Sequence, residues 1–176
     1  MSKSLGNVVA VDELVETYGV DALRYYVARH VNNHEDSSFS KELFHEAYMA
    51  NLVNGIGNLT NRVLQMSSSY GVELEEPQIH PEDNLLDAYD FTGAMDEVFK
   101  IIGSMDQFIT DEAPFKKVKI DPQAAAEDVR YLLEKLWHVT MKIAPFMPET
   151  YGKMRVALEE NKKPETPLFP RIEFKG

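Results

Sequence analysis

Apolar residues return at alternating steps of three and four in three long stretches of the chain. In the first, Met49, Leu52, Ile56, Leu59, Val63 and Met66 keep this cadence within a pattern running from Lys41 to about Ser69. At about 100° per residue such positions fall on one stripe of a helix, and the stripe must face a core. The second stretch, from about Glu82 to Thr110, carries Phe91, Met95, Val98, Ile102, Met105 and Ile109. The third opens at Pro122 and carries Ala125, Val129, Leu132, Leu136, Val139 and Ile143. Three long helices with matching stripes cover one another best side by side, so the pattern predicts an all-α, antiparallel helical bundle.

Shorter helices complete the reading: Val11 to Tyr18, closed by Gly19; Asp21 to about Val31; and Pro148 to about Glu159, after the break at Pro145. Ser40 and Asp121 are placed to cap the helices that follow them, and Pro122 suits a first helical turn. Asn32 to Ser40 reads as a loop, as does the acid-rich connection through Gly71, Pro77 and Pro81. The tail from Asn161, with Pro164, Pro167 and Pro170, is expected to be extended and to pack back through Leu168, Phe169 and Ile172. Strand patterns are nearly absent, and no duplicated motif marks an internal repeat.

Composition narrows the class. With 176 residues and 44% hydrophobic residues, the chain suits one domain with a real core, or a domain and an appendage. No apolar run approaches the ~20 residues of a membrane span, and the start lacks a basic segment leading into an apolar one. A soluble, unexported, cytoplasmic protein is expected. The absence of cysteine excludes disulfides, thiol catalysis and Cys-ligated zinc, and the five histidines stand singly, so no metal site is expected. A net charge of -11 argues against a general nucleic-acid coat. Acids gather between Glu73 and Asp90, however, while Lys116, Lys117 and Lys119 form a small basic cluster.

Candidate chemistry sits in three places. On the first long helix Asn51, Asn54, Asn58 and Arg62 follow one another four or fewer residues apart, roughly opposite the apolar stripe. Amides and a guanidinium in line offer donors and acceptors to a nucleotide. On the helix alone, a solvated or structural face explains them better. The second place is DEAPFKK, where Phe115 stands between Pro114 and two lysines. An exposed ring there could stack a single-stranded base while Lys116 and Lys117 serve as candidate phosphate contacts; a buried ring would merely fill a helix bend. The third is Lys3, between Ser2 and Ser4, a cation suited to charge on a transferring phosphate. Trp137 and the tyrosines read as packing residues. No Gly-rich phosphate loop, nucleophile elbow or His-based triad is present, so the chain holds no complete active site.

MSKSLGN resembles the KMSKS signature loop of class I aminoacyl-tRNA synthetases without its leading Lys, and GNVVAVDELVETYGVDALRYYVAR resembles the segment that follows it. Further on, SFSKELF, NLVNGIGNLTNR, DEAPFK and KIAPFMPET, in that order, resemble the methionyl-tRNA synthetase family. The resemblance implies that Asn54, Asn58 and Arg62 contact the anticodon of methionine tRNA, with Pro114 and Phe115 in the place of an anticodon-stacking element whose aromatic is Trp in many members. It implies that Lys3, as the motif's second lysine, assists formation of the aminoacyl-adenylate in a parent that uses ATP and Mg. The nucleotide-binding α/β domain is expected upstream, so this chain should bind tRNA and not aminoacylate, and needs no cofactor itself. Residues 1–38 would then be a signature-loop remnant with stem-contact helices, and residues 39–176 the anticodon-binding bundle and its tail. A synthetase of the leucine, isoleucine, valine or cysteine type, or a plain helical module binding a protein partner, remains the alternative.

Overall fold

The computed structural model describes residues 11–31, 39–73, 86 and 88–174, and among these it is all-helical, without a strand. Helices α1 (Val11–Tyr18) and α2 (Val20–His30) meet at Gly19, whose φ of 86° ends the first helix in a conformation open to glycine. Helix α3 (Lys41–Ala47) runs on through a π-helical segment, Tyr48–Gly57, into α4 (Asn58–Tyr70). Then come α5 (Phe91–Glu112), the single turn α6 (Pro114–Lys117), α7 (Pro122–Ile143) and α8 (Pro148–Glu159).

The caps fall largely where the sequence puts them. Ser40 Oγ accepts from the Leu43 N–H at 3.2 Å, and Asp121 Oδ1 from the Ala124 N–H at 3.0 Å. The second long helix differs: it starts at Phe91 rather than near Glu82, because Asp90 Oδ1 takes the Gly93 N–H at 2.8 Å and sets the first turn there. Phe91, in that first turn, is 40% exposed and leaves its stripe.

The first long helix departs from the α pattern as well. In a π-helix each N–H reaches one residue further back, so a turn takes in more residues. Counting back from Leu52, the residue that returns to the core is therefore Tyr48, 1% exposed, and Met49 is only partly buried. From Leu52 onward the expected stripe holds: Leu52, Ile56, Leu59, Val63 and Met66 are all buried, as are Met95, Val98, Ile102, Met105 and Ile109 opposite and the whole α7 stripe with Trp137.

Helix α7 is the centre of the packing, in contact with α4, α5, α6 and α8, while α2 packs on α5 and touches the π-helical segment and α8. Leu14, Ala22, Tyr25 and Tyr26 of α1 and α2 belong to the same hydrophobic cluster as the long helices. The tail returns as expected. Leu168 and Phe169 are buried, and the Tyr48 hydroxyl donates to the Pro170 carbonyl at 2.7 Å. No helix among the described residues is long and apolar enough to cross a membrane.

Candidate nucleic-acid interface

Arg62 stands midway along α4, and its position is fixed by its neighbours in sequence: Val63 and Leu64 are wholly buried and turn the guanidinium outward between α4 and α5. Its Nη1 donates to Asp106 Oδ1 of α5 at 2.6 Å, with both side chains 40% exposed. One turn earlier Asn58 is exposed on the same helix, and one turn before that Asn54 is exposed within the π-helical segment. The Asn54 Oδ1 accepts from Arg171 Nη2 of the tail at 2.8 Å, while Asn51 is turned toward the Tyr25 hydroxyl. The ladder is thus split: Asn51 and Asn54 are engaged by α2 and the tail, Arg62 by α5, and Asn58 is exposed.

Phe115 is presented by the sharp junction between α5 and α6. Ala113 adopts φ 46°, a left-handed value that costs a non-glycine residue roughly 1–2 kcal/mol. Its N–H closes α5 on Ile109 O at 3.1 Å, and its carbonyl opens α6 by accepting from Lys116 N at 2.8 Å. Pro114, which has no N–H to satisfy, occupies the first position of the new turn and is buried. Anchored on that side, the ring of Phe115 is left 48% exposed and does not fill the helix bend as a buried core residue.

Arg62 and Phe115 line one open groove of about 540 Å³. Asn61 and Gln65 flank Arg62 on the α4 side, Met66 and Ile109 supply an apolar base, and Lys163, Pro164 and Glu165 of the tail close one end. Asn54 and Asn58 lie beyond the lining of this groove, along the same helix. The two lysines after Phe115 part company. Lys116 is exposed, its Nζ 5.8 Å from the centre of the Phe115 ring. Lys117 is held at 2.6 Å by both Glu112 and Asp128, and these hydrogen bonds, Asp128 first, raise its pKa above the ordinary lysine value. Lys3 and the rest of MSKSLGN lie outside the described residues.

Sequence reasoning missed Asp106, Arg171, Asn61, Gln65 and Lys163. Asp106 follows Met105 directly, at the flank of an apolar stripe, where a charged side chain meets the neighbouring helix; that placement was a usable signal. The arrangement as a whole sets a planar donor fork and an exposed aromatic face on one open groove, with an exposed lysine beside the ring.

Residues 1–64 match the family model of class I tRNA synthetases (M), which gives the class of protein that this helical chain comes from. Residues 67–168 match the anticodon binding domain of methionyl tRNA ligase, and the chain belongs to that family. The methionine–tRNA ligase of Caldanaerobacter subterraneus subsp. tengcongensis is 35% identical over 173 residues, covering 88% of this chain and 27% of the relative. That of Fusobacterium nucleatum is 29% identical over 215 residues, covering 99% of this chain and 34% of the relative. A solved structure of Mycobacterium tuberculosis methionyl-tRNA synthetase in complex with methionyl-adenylate superposes with a TM-score of 0.77 at 26% identity, over 97% of this chain and 41% of that one. The chain therefore spans roughly a third of these curated relatives. The leucine, isoleucine, valine and cysteine alternatives give way to the methionine family.

Proposed function

We propose that the chain is the anticodon-reading part of a methionyl-tRNA ligase, whose full-length form attaches methionine to its tRNA with ATP, through an adenylate and with Mg, in the cytoplasm. The observation that supports it best is the pairing of Arg62 with Phe115 across one groove, 53 positions apart in sequence. An anticodon loop can splay its bases, so one base stacks on Phe115 while the edge of a base meets the donors of Arg62 and the amide of Asn58. Asn54 takes part by bracing this helix and by the amide nitrogen that Arg171 leaves open. Pro114 positions the ring, and Lys116 is the phosphate contact of the pair, because the charge of Lys117 is already met by two carboxylates. Lys3 is assigned to adenylate formation in the full-length ligase. Residues 1–38 would follow the tRNA stem and residues 39–176 its anticodon.

Titrating this chain with an anticodon stem-loop of methionine tRNA, beside a stem-loop with a swapped anticodon, tests the reading. The cognate hairpin should bind more tightly, and Asn58→Ala or Arg62→Ala should weaken it by roughly 1–3 kcal/mol per lost bidentate contact while leaving the swapped hairpin unchanged. Equal affinity for both hairpins in the unaltered chain would refute it.

A further inference from the structure

We propose that Asp106 is a positioning residue that orients the Arg62 fork and so makes the groove select bases rather than phosphates. The inference rests on the RNA-reading role proposed above. Arg62 on α4 and Asp106 on α5 come from elements 44 positions apart, and each is followed or preceded by a core residue: Val63 is 0% and Met105 1% exposed. The two backbones are therefore set by the bundle, and the 2.6 Å contact between Nη1 and Oδ1 is fixed by packing, not by a mobile loop.

Two consequences follow from the chemistry of the pair. A guanidinium has five donors in a rigid plane, so holding Nη1 restricts the direction of the other two nitrogens, which remain to address a planar acceptor pair on a base. The carboxylate also cancels much of the local positive charge. An unpaired arginine in an open groove is attracted to any RNA backbone, whereas a paired one retains directional hydrogen bonds with little general attraction. In a chain of net charge -11, the pair keeps this groove from acting as an indiscriminate basic site.

The test compares the unaltered chain with Asp106→Ala and Asp106→Asn in two measurements. In the free protein, the side-chain nitrogen NMR signals of Arg62 report whether its guanidinium is held; they should be separate in the unaltered chain and averaged in Asp106→Ala. In RNA titrations, Asp106→Ala should lose about tenfold of the preference for the cognate over the swapped hairpin. Its salt dependence should steepen by about one counterion, because the freed arginine now finds a phosphate. Asp106→Asn, which keeps an acceptor in place, should retain more of the preference than Asp106→Ala. Unchanged Arg62 signals in Asp106→Ala, or equal weakening of both hairpins, would overturn the assignment. A preference that survives Asp106→Ala overturns the inference alone; no preference in the unaltered chain overturns the reading of the groove, and this inference with it.

Discussion

Tyr48 is 1% exposed at the head of the π-helical segment, with its hydroxyl donated to the Pro170 carbonyl at 2.7 Å. Burial disfavours the phenolate and, with the nearby Tyr18, pushes the pKa from 10.0 to about 12. A folded-state pKa above the unfolded one means that the folded state holds its proton more firmly. The contribution to stability is therefore complete below about pH 10 and is lost as pH rises toward about 12. Tyr48→Phe should be less stable than the unaltered chain by about 1 kcal/mol at neutral pH, for the lost hydrogen bond. Above pH 10 that gap should narrow. Urea titrations at the two pH values check it, and a constant gap would mean that Tyr48 does not carry the alkaline sensitivity. For Phe115 the discriminating pair is Ala against Leu: if the ring stacks, both lose about 1–3 kcal/mol of hairpin binding, because neither keeps a π face. Leu binding as well as Phe would reduce the ring to an apolar contact. That Asn58, Arg62 and Phe115 are not buried was legible in the sequence, because helical spacing and a Pro-aromatic pair are local signals. The pairings of Asp106 and Arg171 were not, since their partners lie 44 and 117 positions away and the fold alone brings them together.

The helical elements were equally legible wherever a local rule set them. Cap residues, prolines at first turns and the three-and-four cadence each act within a few residues, so α3, α4 and α7 begin or end close to expectation. The π-helical segment Tyr48–Gly57 follows no such rule; it answers to the tail and to α5. Gly57 makes this physical. A Cβ there would lie 3.1 Å from the Leu52 carbonyl oxygen, so the wide turn approaches bare backbone, while Phe169 Cδ2 of the returning tail stands at an ordinary 3.9 Å. At Gly55 the nearest atoms, Ala50 O at 3.6 Å and Phe99 Cε1 at 3.8 Å, are at ordinary contact distance. Alanine in a helix is normally worth about 0.5–1 kcal/mol over glycine. Gly55→Ala should therefore stabilise the chain by that amount, whereas Gly57→Ala should gain nothing or lose stability, as urea midpoints would report. Equal stabilisation by both would show that the π turn yields at no cost.

Over the whole molecule, the proposed boundary after residue 38 meets a specific obstacle. Helix α2 holds both sides of the turn between α7 and α8. Arg24 donates to the Phe146 carbonyl at 2.6 Å and to that of Pro145 at 2.8 Å, taking up acceptors of the turn that follows α7. Asp21, 5% exposed, accepts from the Thr150 N–H at 2.6 Å and the Thr150 hydroxyl at 2.7 Å, and so caps α8 from 129 positions away where Met147 offers no cap of its own. A buried carboxylate bound in this way is expected to contribute about 2–3 kcal/mol, since its removal leaves a helix N–H without a partner. For a chain of this length that amounts to a fall of about 5–10 °C in melting temperature for Asp21→Ala. The form of the transition then decides how far the boundary is energetic. If α1 and α2 fold as one unit with the bundle, as their shared hydrophobic cluster requires, far-ultraviolet circular dichroism should show a single transition displaced as a whole. Hydrogen exchange should quicken in α8 as well as in α2. A separate early transition, with the bundle melting where it did before, would instead make residues 1–38 an independently yielding arm, and the division of labour along the tRNA would follow a physical hinge.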